Sequence, residues 1–148
     1  MEIERKFLIE TPPPDTEGYP HETIEQGYLC TDPVVRVRRK GERFILTCKG
    51  PGLMVREEFE LPLTEEAYRG LLAKADGTVI TKERYYLPYG AYTIELDRFG
   101  PPFAPLTVAE VEFPTREEAL SFTPPDWFGR EVTGDPAYTN ASMSRKKD

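Results

Sequence analysis

Histidine and cysteine are scarce in this sequence, which excludes the metal and disulfide frameworks that are built from them. The 148 residues include two cysteines, Cys30 and Cys48, and one histidine, His21. So few cysteines in a chain of this length predict free thiols in a reducing compartment. His21 falls in a predicted loop and has no second histidine with which to hold a metal, so we expect a solvated side chain.

Long hydrophobic runs are also missing. No apolar segment approaches the ~20 residues that a membrane-spanning helix needs, and charge from Glu2 onwards argues against a secretory signal. A formal net charge of -7 disfavours general binding to nucleic acid or to anionic lipid. We therefore expect a cytoplasmic protein without nucleic-acid or membrane partners, folded as one domain over residues 1–148.

Alternation of polar and apolar residues predicts a chain made mainly of strands. They are expected at residues 2–9, 23–29, 34–39, 43–49, 55–61, 78–87, 91–99 and 106–113. Thr64 and Thr115 are the expected N-caps of two helices, the first ending at Gly77 and the second at Phe122. Further short helices are expected from Pro124 and from Asn140. The predicted class is mainly β, within the broad α+β group.

The polar faces of these strands carry an unusual number of charges. Glu2, Glu4 and Lys6 share one face of the first strand, because successive side chains point to opposite sides. Basic residues on such faces are Lys6, Arg36, Arg38, Lys49, Arg56, Lys82 and Arg84. Acidic residues on such faces are Glu2, Glu4, Glu58, Glu60, Glu95, Asp97, Glu110 and Glu112.

A closed barrel explains these faces better than an open sheet does. A solvated sheet face is the simpler interpretation of any one charged pair. It gives no reason, however, for acidic pairs and basic pairs to lie on separate strands. If eight antiparallel strands close into a barrel, the apolar faces pack outwards beneath the helices and the charged faces line a polar bore.

The charges of such a bore predict its ligand. Arginine and lysine in number suit a multiply charged anion, because guanidinium groups hold phosphate oxygens in pairs. Carboxylates cannot face a polyanion directly, so they require a cation between, and clustered carboxylates suit Mg²⁺ or Mn²⁺. The bore is thus predicted to bind a metal-bound oligophosphate, with the metal helping to activate water and fixed positive charge stabilising phosphoryl transfer.

The same residues resemble the motifs of a known family, the CYTH superfamily or triphosphate tunnel metalloenzymes. The first strand, Glu2-Ile3-Glu4-Arg5-Lys6, is similar to the family's E-x-E-x-K signature. Three segments resemble the basic strands of the family, namely Arg36-Val37-Arg38, Thr47-Cys48-Lys49-Gly50 and Lys82-Glu83-Arg84-Tyr85. Its acidic strands are resembled by Arg56-Glu57-Glu58-Phe59-Glu60, Glu95-Leu96-Asp97-Arg98-Phe99 and Ala109-Glu110-Val111-Glu112-Phe113. The resemblance covers nearly the whole chain and implies an eight-stranded antiparallel tunnel that uses divalent metal.

The resemblance also implies roles for individual residues. Metal binding is expected of Glu2, Glu4, Glu110 and Glu112. Phosphate binding is expected of Lys6, Arg36, Arg38, Lys49, Arg56, Lys82 and Arg84. Catalytic roles are expected of Lys6, Glu58, Glu60, Lys82, Arg84 and Asp97, the acidic ones as further metal ligands or water-orienting groups. Tyr28 and Glu95 are further candidates, and Tyr28 either lines the tunnel or packs as an aromatic with a satisfied hydroxyl.

The compact length resembles the short bacterial branch of the family, whose members are often inorganic tripolyphosphatases. The expected reaction is hydrolysis of tripolyphosphate to pyrophosphate and phosphate with Mg²⁺ or Mn²⁺. The alternatives are a class IV-type adenylate cyclase, a thiamine triphosphatase with Trp127 as an aromatic platform, and a non-catalytic polyphosphate- or nucleotide-binding module. The sequence leaves open whether the chain forms a homodimer and whether the segment beyond Val132 closes one tunnel mouth. Residues 145–148 are expected to be a solvated tail.

Overall fold

The computed structural model describes residues 2–51 and 54–144, so the predicted tail at 145–148 lies outside it. The described chain forms an antiparallel sheet of strands β1 Glu2–Leu8, β2 His21–Thr31, β3 Val34–Lys40, β4 Arg43–Lys49, β5 Val55–Arg56, β6 Glu58–Pro62, β7 Asp76–Tyr89, β8 Tyr92–Phe99 and β9 Thr107–Glu112. Its helices are α1 Glu65–Leu72, α2 Arg116–Ser121 and α3 Asn140–Ser144, with 3₁₀ turns at Thr16–Gly18 and Pro136–Tyr138.

One short segment joins the two ends of the sheet. The strand order is β5-β1-β9-β8-β7-β2-β3-β4-β6, yet β5 and β6 are separated along the chain by Glu57 alone. Val55 and Arg56 pair with β1, whereas residues 58–62 pair with β4. The prediction of a mainly β, eight-stranded closed barrel is confirmed, with the fifth predicted strand divided because it changes partner at Glu57.

The segment after α2 forms another part of the wall. It runs beside β1, where Gly129 N donates to Leu8 O at 2.8 Å and Leu8 N donates to Arg130 O at 2.9 Å. Val132 N then donates to Lys6 O at 2.8 Å. The C-terminal segment is therefore hydrogen-bonded to the strand that carries the E-x-E-x-K motif.

Apolar side chains pack on the outside of the barrel, as the alternation predicts. The outer core comprises Phe7, Ile9, Tyr85, Leu87, Ile94, Leu96, Ala109, Val111, Phe113, Ala119 and Phe122. It lies between the outer faces of β1, β7, β8 and β9 and the α2 region. Since a fully buried aliphatic or aromatic side chain contributes about 1.5–3 kcal/mol, this layer supplies much of the stability that a charged interior cannot.

A second apolar cluster closes one end of the bore. There the inward faces change from charged to apolar, and Tyr28, Ile80, Phe99 and Val108 pack together with Met143 of α3. Ile80 and Val108 share their faces with Lys82 and Glu110, which shows that they point inwards. The sequence left open whether the segment beyond Val132 closes one mouth of the tunnel. In the structure, α3 covers this end.

Three local predictions are wrong. His21 lies in β2 rather than in a loop, with Nδ1 2.6 Å from Glu83 Oε2. Helix α1 ends at Leu72, not at Gly77, because β7 begins at Asp76 and pairs with β2 at Tyr28. The segment from Pro124 forms a turn and no helix, since residues before proline disfavour the helical conformation.

Both cysteines are free, as expected. Among the described helices, none is long and apolar enough to span a membrane.

The contact between residues 129–133 and β1 can be tested at Gly129. A Cβ atom there would lie 2.6 Å from Leu8 O, a backbone atom that cannot move without shifting β1. We expect Gly129→Ala to lower the free energy of unfolding in urea by about 1–3 kcal/mol. Gly70→Ala in α1 is the control, because nothing lies within 4 Å of its added methyl group. Equal stability of the two variants would contradict the close approach.

Candidate active site

The charged faces enclose a cavity of about 400 Å³. Its walls include nearly all the predicted site residues, namely Glu2, Glu4, Lys6, Tyr28, Arg36, Arg38, Lys49, Arg56, Glu58, Glu60, Arg84, Glu95, Glu110 and Glu112. Lys82 and Asp97 are the exceptions, because both side chains are buried behind the wall. The alternation of side chains therefore brings together residues from all nine of the described strands.

Asp97 organises the basic residues of β7. Arg84 Nε donates to Asp97 Oδ1 at 2.7 Å, and a second nitrogen of the same guanidinium donates to Oδ2 at 2.9 Å. Lys82 Nζ lies 2.7 Å from the same Oδ2. Burial alone would raise the pKa of Asp97, but Arg84 and Lys82 hold it below its ordinary value. The carboxylate is thus occupied by two cations and fixes the direction of Arg84.

Two guanidinium groups on β3 lack a counter-ion. Arg36 and Arg38 are buried, yet neither has a carboxylate within ion-pair distance in the part of the chain that the structure describes. Arg38 Nε donates to the neutral side chain of Gln26 at 2.6 Å, while Arg36 Nε has no protein acceptor there. Burial, and then the charges of Arg36 and Arg84, lower the pKa of Arg38 to about 9. Buried cations without counter-charge indicate a site for an anion.

The other cations of the cavity are paired with carboxylates. Lys49 Nζ lies 2.9 Å from Glu2 Oε1 and 3.5 Å from Glu58 Oε2. Arg56 Nε lies 3.6 Å from Glu2 Oε1. Although burial alone would raise the pKa of Glu2, Lys49 and Arg56 together hold it below the ordinary value. This part of the wall is balanced in charge before any ligand binds.

Lys6 and Arg84 reach carboxylates on the neighbouring strands β9 and β8. Lys6 Nζ lies 3.6 Å from Glu110 Oε1 and donates to Tyr138 O at 3.0 Å. Arg84 also approaches Glu95 at 3.4 Å. Burial alone would raise the pKa of Glu110, but Lys6, Arg84 and Lys82 hold it well below the ordinary value.

Glu4 and Glu112 form a contrasting pair of carboxylates without cations. They are direct cross-strand partners on β1 and β9, and the described residues give neither of them an ion pair. Burial, and then the charges of Glu110 and Glu2, raise the pKa of Glu4 to about 8. Burial, and then Glu2 and Glu95, also raise the pKa of Glu112. A cation from outside the chain would relieve this repulsion.

The carboxylates fit a hard divalent cation by their chemistry. All the donors are oxygens, which Mg²⁺ and Mn²⁺ prefer, and burial together with neighbouring carboxylates raises the pKa values of Glu4 and Glu112. Within residues 2–51 and 54–144, no three acidic, histidine or cysteine side chains already converge as a metal-binding group. Binding would therefore draw the carboxylates of β1 and β9 closer together.

Some lining residues were not predicted from the sequence. Lys40 occupies the inward position after Arg36 and Arg38, so the alternation of β3 contains the signal for it. Thr133, Asn140 and further residues of the C-terminal segment also line the cavity. They have no strand periodicity, and their place depends on the hydrogen bonds of residues 129–132 to β1.

Comparison with known proteins identifies the family of this chain. A model of the CYTH domain matches residues 1–132. A protein named inorganic triphosphatase from Nitrosomonas europaea is 38% identical over 149 residues, which cover 97% of this chain and 96% of that protein. Another of that name, from Acetivibrio thermocellus, is 34% identical over 153 residues, covering 96% and 92%.

A solved structure has a similar fold. The crystal structure of an inorganic triphosphatase is similar with a TM-score of 0.73 and 33% identity, over 99% of this chain and 96% of the other. The family model spans most of the chain, and both relatives match along nearly their whole length. The predicted resemblance to this family is confirmed, and the chain belongs to the CYTH domain family.

Proposed function

We propose that the protein is a metal-dependent inorganic triphosphatase, which hydrolyses tripolyphosphate to pyrophosphate and phosphate inside the barrel. One observation carries the proposal: among the described residues, the cavity holds two arginines without a carboxylate partner and two carboxylates without a cationic partner. Arg36 and Arg38 suit phosphate, whereas Glu4 and Glu112 suit a divalent cation between phosphate and protein. The similarity to two proteins named inorganic triphosphatase supports the same substrate.

Substrate phosphates would be held mainly by β3. Arg36 and Arg38 are consecutive inward residues, so their guanidinium groups face one side of the substrate. Lys40 continues this row, and its Nζ lies 4.0 Å from Glu22 Oε2 and 5.7 Å from the centroid of the Tyr86 ring. We assign the same role to Lys49 and Arg56, which would exchange part of their contact with Glu2 for phosphate oxygens.

The metal would be held by Glu2, Glu4, Glu110 and Glu112, four carboxylates on the adjacent strands β1 and β9. When bound there, Mg²⁺ or Mn²⁺ would supply positive charge for the phosphate oxygens and would lower the pKa of a water that attacks phosphorus. Glu58 and Glu60 lie on β6 in the same cavity, and we assign them the orientation of that water.

Positive charge held in place would stabilise the phosphoryl group in transfer. Lys6 is fixed by Tyr138 O and Glu110, and Arg84 is fixed by Asp97. Groups held in this way need little rearrangement when charge develops on the phosphate oxygens. Lys82 and Asp97 do not line the cavity, so we assign them a positioning role through Arg84.

The alternative activities find less support in the cavity. Trp127 packs against the outer core, with its ring centroid 4.7 Å from that of Phe128, and does not line the cavity as a platform for thiamine. Tyr28 is the aromatic residue among the lining residues, and it belongs to the apolar cluster at the closed end. A module that only bound polyphosphate would have no use for a carboxylate cluster beside its arginines.

A substrate panel tests the activity. With Mg²⁺ or Mn²⁺, we expect fast phosphate release from tripolyphosphate and slow release from ATP and from thiamine triphosphate, with no cyclic AMP formed. The reason is that the lining offers charged groups for phosphate and no aromatic stack for a base. Phosphate release and nucleotide chromatography measure these outcomes. Tight binding of tripolyphosphate without turnover would instead identify a binding module.

Glu4→Gln tests the metal site, because it should separate stability from activity. The pKa of Glu4 is raised to about 8, so charging this group opposes folding increasingly as the pH rises above its ordinary value. The neutral amide avoids that cost, and the metal-free variant should be more stable than wild type at pH 8. Loss of a metal ligand should at the same time reduce metal-dependent turnover by at least about tenfold.

Urea unfolding without metal and phosphate release with Mg²⁺ give the two measurements. Glu117→Gln, on the exposed surface of α2, is the matched control and should change neither. A variant that loses both stability and activity would show that Glu4 has a structural role only.

A further inference from the structure

Arg84 and Arg38 both line the cavity, but they are held in place by different kinds of side chain. Arg84 is held by two hydrogen bonds to the Asp97 carboxylate, which neutralises much of its charge. Arg38 is held instead by the amide of Gln26, at 2.6 Å. A neutral acceptor fixes a guanidinium group without cancelling its charge.

The geometry of Gln26 makes this contact specific. Gln26 and Arg38 are direct cross-strand partners on β2 and β3, and both side chains point into the barrel. The register of β2 against β7 shifts between Gln26 and Tyr28. Gln26 is therefore the last β2 residue in the regular register with β7 before this irregularity. Guanidinium nitrogens only donate hydrogen bonds, so the amide oxygen must face Arg38 and the amide nitrogen must face away.

The amide nitrogen then lacks a partner. Gln26 is fully buried, and its Nε2 has no acceptor among the described residues. Arg36 Nε, on the neighbouring strand β3, is also buried without an acceptor. A buried donor without an acceptor is costly. Arg36 lines the cavity, where a bound phosphate oxygen would supply the acceptor, whereas Gln26 lies outside the lining and acts through Arg38.

We propose that Gln26 is a positioning residue that fixes Arg38 for the polyphosphate while leaving its charge uncompensated. The inference rests on the proposed function and adds to it a determinant of affinity outside the cavity lining. A carboxylate at this position would hold Arg38 at least as firmly, but it would compete with the substrate for the charge. The amide is therefore the side chain that combines fixed orientation with free charge.

Gln26→Glu tests the proposal, because it should move stability and affinity in opposite directions. The new carboxylate can pair with Arg38, so the urea midpoint of the ligand-free protein should rise. The same pairing should raise KM for tripolyphosphate about tenfold, since a charged hydrogen bond to phosphate is weakened. The change in kcat should be smaller than the change in KM. A merely structural role would not raise stability and KM together.

Two further variants complete the experiment. Gln26→Leu removes the acceptor, so it should lower stability and also raise KM. Leu120→Glu adds the same charge to an exposed site on α2, and it should leave KM unchanged. Gln26→Glu with unchanged KM, in an enzyme whose wild type is active, would overturn the role of Gln26 alone. A wild type that neither binds nor hydrolyses tripolyphosphate would overturn the proposed function itself.

Discussion

Opposite charges lie inside one closed barrel, and the fold keeps some of them apart. Arg36 and Arg38 on β3 have no carboxylate partner among the described residues, and Glu4 and Glu112 on β1 and β9 have no cationic one. The two buried arginines oppose folding, because each has lost water without gaining a counter-ion. The outer core around Phe7 offsets that cost, and α3 closes the end where the inward faces become apolar. The unbalanced interior is the feature from which the proposed chemistry follows, since a polyphosphate with its metal would satisfy both sets.

Charged groups inside the barrel are held in place in two ways, by a carboxylate or by a neutral amide. Asp97 binds Arg84 and Lys82, so one buried carboxylate partly compensates two cations and fixes their positions. Gln26 holds Arg38 without neutralising it, so a full positive charge remains for the ligand. Under the proposed function, a charge held in the first way would keep a fixed geometry, and a charge held in the second way would provide affinity for phosphate. The distinction depends on one carboxylate and one amide, and it would be lost if either were exchanged for the other.

The sequence predicted the strands and most of the cavity because side-chain alternation is a local property. Arg36 and Arg38 could be placed on an inward face without knowing which strands were neighbours. Contacts between distant strands were not accessible in this way. The withdrawal of Lys82 and Asp97 from the cavity depends on their mutual pairing across β7 and β8. The change of partner at Glu57 and the C-terminal lining depend equally on tertiary hydrogen bonds, which leave no periodic signal.

Arg36 and Arg38, which have no carboxylate partner among the described residues, are proposed to bind a polyphosphate. The dependence of the free energy of unfolding on tripolyphosphate, measured without metal, tests this most directly. The free energy of unfolding in urea would be measured with a chelator present, over a range of tripolyphosphate concentrations at constant ionic strength. Binding to the folded state alone should raise it logarithmically, by about 2.7 kcal/mol at one hundred times the dissociation constant. The rise should be much smaller in an Arg36→Ala, Arg38→Ala double variant. A wild-type protein whose stability is unchanged by tripolyphosphate, or rises equally with sulfate, would contradict the account.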